Sequence, residues 1–221
     1  MLPPLASVAS DMLPSALGIA ISPLAIALVI LMLLSEHALR NALAFTAAWF
    51  AACFAGIAVL AALLDGGHHG GRLPRGEAWL FAVLGGLLVA LGIAALVVRG
   101  DHLPRVLARA ERLAPRHAAM TGFAGALASP KELPLIIAGA AALARAPGLA
   151  APGIVAGALG FALVASAGLL VPIALYAARR EHAARLLGAG RDWLLAHHAV
   201  VSGVLLIVVG VLIGQEGVRA L

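Results

Sequence analysis

The residues best suited to chemistry in this sequence are Lys131 and Glu132, which follow Ser129-Pro130 inside a long apolar stretch. If that stretch crosses a bilayer, a mid-membrane lysine costs roughly 2.5–3.5 kcal/mol, so its ammonium group must face a cavity or a partner. Two roles are open for Glu132. It stands three positions after Ser129, as in a capping box, and it could equally carry a proton across the membrane.

A second Ser-Pro pair, Ser22-Pro23, lies at a comparable depth in an earlier apolar stretch. Serine before proline is typical of a helix start, with the serine as N-cap and the proline at the first helical position. A proline inside a helix also leaves the carbonyl four residues earlier without its donor, here that of Ile19. The sequence therefore predicts two helices that are broken at Ser22-Pro23 and at Ser129-Pro130.

The two predicted breaks indicate an anion site near the membrane midplane. A helix N-terminus is positive and attracts anions, and Lys131 adds a full charge beside one of these ends. We expect a ligand that carries a phosphate, a sulfate or a carboxylate. For the two serine hydroxyls, capping is favoured over contact with the ligand. The predicted substrate-binding residues are Ser22, Pro23, Ser129, Pro130 and Lys131, and the candidate for proton coupling is Glu132.

The composition places these residues in a membrane protein. Of the 221 residues, 63% are hydrophobic and 11% are charged, whereas soluble domains are nearer half apolar and a quarter charged. An ordinary water-soluble enzyme is thereby excluded. Catalysis within the membrane is disfavoured because no nucleophile–base pair lies at membrane depth. A lone cysteine, Cys53, excludes a dithiol carrier and a cysteine-based metal cluster, and we expect neither metal nor cofactor.

Six apolar stretches position these residues and predict an all-α protein with one transmembrane domain over 1–221. The first and fourth stretches share the Ser-Pro pair, and the third and sixth share glycines seven apart, at Gly85/Gly92 and Gly203/Gly210. Two halves of three helices, about 14–98 and 121–214, would be inverted relative to each other, as in many secondary transporters. The six stretches are 14–34, 42–64, 79–98, 121–144, 153–178 and 200–214.

The arginines predict the orientation of these helices. Ten of them lie in the first, third and fifth connections and four on the opposite side. The positive-inside rule places the odd-numbered connections in the cytoplasm and both termini outside. This topology also accounts for the net charge of +5, so no nucleic-acid partner is expected. The expected partners are membrane lipid and an anionic lipid or other small substrate, and a homo-oligomer is left open.

Several segments resemble the GAP family of bacterial membrane proteins, also called peptidoglycolipid- or sulfolipid-addressing proteins. They are the first stretch with its Ser-Pro, HALRNALAFTAAW at 37–49 and GFAGALASPKELPLIIAGAAAL at 122–143. That family is similar to the LysE exporter superfamily, whose members carry an Asn-Pro-Lys-like motif in the fourth helix. Here Ser129 replaces the asparagine before Pro130 and Lys131, which fits GAP better than an amino-acid exporter.

The resemblance implies transport across the cytoplasmic membrane, and GAP members are linked to delivery of glycolipids to the cell surface. No ATP-binding motif is present in the sequence. We therefore expect an exporter of an anionic lipid or glycolipid that works by alternating access without ATP. Two alternatives remain open: a proton-coupled exporter of an amino acid or small cation of LysE type, and an accessory membrane subunit of a lipid-export complex.

Overall fold

The computed structural model describes residues 4–64, 75–97, 114–146, 151–178 and 180–220. Over these ranges the secondary structure is α-helical, with no strand. The helices in chain order are α1 (Pro4–Ala20), α2 (Pro23–Leu33), α3 (Ala38–Leu64), α4 (Arg75–Val97), α5 (Pro115–Ala128), α6 (Glu132–Ala144), α7 (Ala151–Ala178) and α8 (Arg180–Ala220). The predicted all-α class is confirmed for this part of the chain.

Three of these helices are long and apolar enough to cross a membrane: α3, α7 and the segment Arg185–Arg219 of α8. Two further spans result if each bent pair is taken as one, Val8–Ala20 with Pro23–Leu33 and Pro115–Ala128 with Glu132–Ala144. The apolar part of α4 is the shorter helix Phe81–Val97. The described ranges therefore form a multi-pass helical protein with three to five spans by length and composition.

Both predicted breaks are present. The axes of α1 and α2 differ by 50° and those of α5 and α6 by 66°. At the first break Ser22 has extended backbone angles (φ −80°, ψ 103°) and Pro23 begins α2. The prediction that the Ile19 carbonyl lacks a hydrogen-bond donor is wrong, because this carbonyl accepts the Ser22 N–H at 3.1 Å. The chain closes a tighter turn of three residues there, which satisfies the carbonyl before the helix restarts.

The last helix is longer than the sequence predicts. Helix α8 has 41 residues, about 62 Å at 1.5 Å per residue, and runs continuously through most of the predicted fifth connection into the sixth apolar stretch. Within that connection Leu187 is buried, and Leu194 and Leu195 pack against the core. Tertiary packing of these leucines stabilises the helix in a segment that the sequence analysis treats as a connection between two spans.

The second half of each bent pair is the most enclosed part of the molecule. Nine of the eleven residues of α2 and ten of the thirteen residues of α6 are buried. A helix that is apolar on all sides must be covered on all sides. Helices α3, α7 and α8 pack around α2, and helices α1, α3, α5 and α7 pack around α6.

The predicted glycine correspondence between the third and sixth stretches forms one interface between α4 and α8. A Cβ on Gly92 would lie 2.7 Å from the carbonyl oxygen of Gly203, and a Cβ on Gly85 would collide with the backbone of Gly214. Early residues of α4 meet late residues of α8, so the two helices are antiparallel. Small residues allow this approach of two backbones, which is how helices associate in lipid.

Candidate functional site

The two helix breaks meet at one carboxylate. The hydroxyl Oγ of Ser22, at the first break, donates a hydrogen bond to Oε1 of Glu132, in the first turn of α6, at 2.9 Å. Both residues are only 4% exposed. The sequence places these two residues 110 positions apart. Their contact therefore ties the first bent pair directly to the second.

Ser129 completes the binding of the carboxylate. Its hydroxyl donates to the second oxygen of Glu132, Oε2, and accepts the backbone N–H of Lys131 at 3.3 Å. The carbonyl of Ser129 accepts the N–H of Leu133 at 3.1 Å. The predicted capping box is wrong: Ser129 is the C-cap of α5 and Lys131 is the N-cap of α6, with no side-chain capping hydrogen bond. The Glu132 carboxylate receives the Ser129 hydroxyl instead of the serine backbone N–H.

The preference for side-chain capping by Ser22 is wrong. Ser22 holds the N-cap position of α2 through its backbone, and its hydroxyl makes no capping hydrogen bond. The hydroxyl instead donates to Glu132. A hydrogen bond to an ionised acceptor is roughly twice as strong as one between neutral groups, and a buried carboxylate needs donors. A contact made by a residue more than a hundred positions away overrides the local rule.

Lys131 supplies the positive charge of the site. Its ammonium Nζ lies 3.3 Å from Oε1 of Glu132, and its side chain is 14% exposed. Neighbouring residues on a helix diverge by about 100°, so the sequence does not require this pairing. Lys131 lies just before α6, and its flexible side chain bends back to the carboxylate. The Nζ atom is buried and makes no well-formed hydrogen bond within the described ranges, so donors remain for another acceptor.

The two prolines act on the backbone rather than in the polar cluster. Pro23 is buried at the first position of α2, whereas Pro130 is exposed. Each stands between a helix end and a new helix start, where the missing N–H does no harm. Of the predicted substrate-binding residues, the structure brings Ser22, Ser129 and Lys131 together around Glu132.

The cluster has the charge pattern of an anion site, and the Glu132 carboxylate of the protein itself occupies it. The N-terminus of α6 carries Glu132 in its first turn, and the Ser22 N-cap brings the start of α2 to the same carboxylate. Helix N-termini and an ammonium group both stabilise negative charge. The group that would otherwise attract an external phosphate or sulfate therefore binds Glu132 in this conformation.

One residue that the sequence analysis missed positions the first break. Gly168 of α7 packs so closely on the end of α1 that a Cβ there would collide with the carbonyl oxygen of Ala20. Gly122 of α5 approaches the Phe45 carbonyl of α3 in the same way. The sequence holds many glycines, and periodicity alone does not distinguish those in close contact from those that face open space, such as Gly160.

No group of three or more histidine, cysteine, aspartate or glutamate side chains in the described ranges could hold a metal ion. Cys53 is a free, buried cysteine on α3. The polar cluster of Ser22, Ser129, Lys131 and Glu132, named here the break cluster, is the candidate functional site.

Comparison with known proteins gives one match that covers most of the chain. The family model described as Sap, sulfolipid-1-addressing protein, matches residues 12–219. No curated protein and no solved structure matches the chain. The matched region contains both helix breaks and the whole break cluster.

Proposed function

Because the chain belongs to the sulfolipid-1-addressing protein family, we propose that it is a transporter that moves an anionic lipid or glycolipid across the bacterial cytoplasmic membrane. The observation that carries this proposal is the buried Ser22–Glu132 hydrogen bond, with Lys131 beside it. It joins two broken helices through a charged cluster in a largely apolar interior. Ionisable residues inside transmembrane segments are rare, pair with one another and mark substrate and ion pathways.

The chemistry of the break cluster fits an anionic headgroup. Two serine hydroxyls and the Lys131 ammonium are donors, and the start of α6 adds the positive end of a helix. A sulfate or phosphate ester offers several acceptor oxygens to such donors. The acyl chains of the same molecule can remain in the bilayer because only the headgroup must pass through the polar interior.

An inverted repeat and alternating access complete the proposal. In this plan α1, α2, α3 and α4 of the first half correspond to α5, α6, α7 and α8 of the second. Helices α1 and α2 pack on α7, and their counterparts α5 and α6 pack on α3 in the same way. Corresponding helices also contact each other in the pairs α3–α7 and α4–α8. This pattern is what a two-fold relation between halves would give, and rocking of such halves around a central site is the usual mechanism of transporters with this plan. The orientation we propose has both termini outside.

Energy would come from a gradient, since the sequence has no ATP-binding motif. Glu132 is our candidate for carrying a proton, because it is the carboxylate that both breaks bind.

Reconstitution into lipid vesicles tests the proposal. The probe is a sulfated galactosylceramide with a fluorescent NBD label on its acyl chain, and dithionite quenching reports the fraction in the outer leaflet. We expect the protein to accelerate movement of this probe over that of the same lipid without sulfate. Lys131→Ala should slow it about tenfold or more, because it removes a charged donor.

Arg191→Ala is the matched control, since it removes a cation in an exposed ion pair with Asp192 on α8, where such pairs contribute little. Equal rates for Lys131→Ala and the unaltered protein at equal protein levels would contradict the transport site. Activity in cells combined with no movement in vesicles would favour the accessory-subunit alternative.

The amino-acid alternative rests on the same pair of charges. A zwitterion could place its carboxylate on Lys131 and its ammonium on Glu132, which lie 3.3 Å apart through Nζ and Oε1. Uptake of labelled amino acids by inverted vesicles distinguishes the two substrates. Uptake of an amino acid without movement of the sulfated lipid would favour the LysE-type exporter.

A further inference from the structure

We infer that the break cluster binds a univalent anion only together with a proton, so that the proposed transporter carries the two in the same direction without net charge. This inference rests on the proposed function and specifies its coupling. It follows from three features of the cluster: its own carboxylate, its single compensating ammonium group and its burial.

Glu132 uses the donors that an external anion would need. Its Oε1 receives the Ser22 hydroxyl and lies 3.3 Å from Lys131 Nζ, and its Oε2 receives the Ser129 hydroxyl. While Glu132 is ionised, a headgroup would have to bind beside a second negative charge. Protonation of Glu132 weakens its hold on these donors and removes the repulsion, so proton binding and anion binding favour each other.

The charge balance leads to the same result. With Glu132 ionised and Lys131 protonated, the cluster is neutral. An added anion alone would make it negative, and a proton alone would leave it positive; a net charge in a buried site is costly. An anion bound together with a proton keeps the cluster neutral. The protein can therefore turn its site from one side of the membrane to the other in two states, empty and doubly loaded, because both are neutral.

Within the described ranges, Lys131 is the charged side chain that pairs with Glu132. The buried thiol of Cys53 lies on α3, which packs on α6. On the helices packed on α6, the other ionisable residues with described side chains are Asp11 on α1, Arg40 on α3, Arg116 and His117 on α5, Tyr176 on α7 and Arg145 at the end of α6 itself.

The experiment measures the distribution of the NBD-labelled sulfated galactosylceramide between the leaflets of vesicles at steady state. In one arm a pH difference is imposed while valinomycin and equal potassium hold the voltage at zero. In the other arm the pH is equal and a potassium gradient with valinomycin sets the voltage. We expect about tenfold accumulation in the more alkaline leaflet per pH unit, and no accumulation in response to about 59 mV, the voltage equivalent of a tenfold ratio for one charge.

Two variants separate coupling from structure. Glu132→Asp keeps a titratable carboxylate, and we expect it to retain the bias by pH. Glu132→Gln imitates the protonated state permanently, so its empty site carries the uncompensated charge of Lys131. We expect its net movement of probe to fall about tenfold or more, while exchange of labelled for unlabelled sulfated lipid continues.

The outcomes are distinct. Movement that follows voltage and ignores pH would overturn the coupling and leave the proposed transporter intact. Accumulation in the more acidic leaflet would overturn it in favour of antiport. Loss of both net movement and exchange in Glu132→Gln would show that the carboxylate is needed for binding or folding, which also contradicts the inference. No movement of the probe by the unaltered protein under any condition would overturn the proposed function together with the coupling.

Discussion

At the scale of single residues, the site depends on one acidic side chain and on what can donate to it. Glu132 is 4% exposed and receives two hydroxyl groups and the approach of an ammonium group. A buried carboxylate without such partners would be very costly, so each of them contributes to stability as well as to binding. Ser22 is the most informative of these partners, because it alone comes from the first bent pair.

Ser22→Ala should weaken the connection between the two breaks. It removes a buried hydrogen bond to a charged acceptor, and we expect a loss of about 1–2 kcal/mol, as for interhelical hydrogen bonds in membrane peptides. Thermal unfolding in detergent measures the loss. Ser35→Ala is the control, since its hydroxyl donates only to the nearby Met32 carbonyl at 2.7 Å. An equal decrease in both variants would contradict the special role of Ser22.

At the scale of helices, the first break packs against a neighbour that leaves no room for a side chain. Gly168 of α7 contacts the carbonyl oxygen of Ala20, the last residue of α1. A proline can interrupt a helix, but the direction of the next helix depends on what packs against the break. The 50° bend between α1 and α2 is therefore a property of the α1–α7 contact as well as of Ser22-Pro23.

Gly168→Ala should disturb this bend. A Cβ at Gly168 would collide with backbone, which is far less able to move than the end of a side chain, so we expect a loss of about 1–3 kcal/mol. Gly160→Ala is the matched control on the same helix, because its added Cβ would meet nothing within 4 Å. Since alanine is the better helix former, the control should be neutral or more stable by up to about 1 kcal/mol. Thermal unfolding that ranks the two variants in the opposite order would disprove this packing role.

At the scale of the whole molecule, the distribution of arginines predicts a fixed orientation, with the odd-numbered connections in the cytoplasm. The antiparallel α4–α8 pair and the two bent pairs fit a chain that crosses the membrane back and forth. The proposed function needs this orientation to define which leaflet receives the lipid.

Cysteine labelling tests the orientation, and buried Cys53 gives a low background. We expect Glu36→Cys, at an exposed position in the first connection, to react with a membrane-impermeant maleimide in inverted vesicles and not in intact cells. Val218→Cys, near the exposed end of α8, should react in intact cells. Labelling of both positions from the same side would contradict the predicted topology.

Much of the break cluster could be predicted from the sequence because its signals are local. Proline has no N–H, and serine before it favours a helix start, so both breaks follow from two dipeptides. The spacing of three residues brings Ser129 and Glu132 near each other, but the hydroxyl-to-carboxylate contact between them is not the one that the capping-box rule predicts. The continuation of α8 through the fifth connection could not be predicted, because it depends on leucines that find partners only in the folded protein.

By itself, the sequence determined that the chain lies in a lipid bilayer and that it is helical. It also determined the two breaks and the position of Lys131 and Glu132 beside one of them. Hydrophobicity and backbone chemistry act over a few residues, so a pattern along the chain is enough to specify them. Only the tertiary structure decided that Ser22 binds Glu132 and that Gly168 packs against the end of α1. These contacts depend on the distance and direction between helices that are far apart in the chain, which packing sets and local sequence does not. The same packing places a negative charge of the protein itself at the predicted anion site.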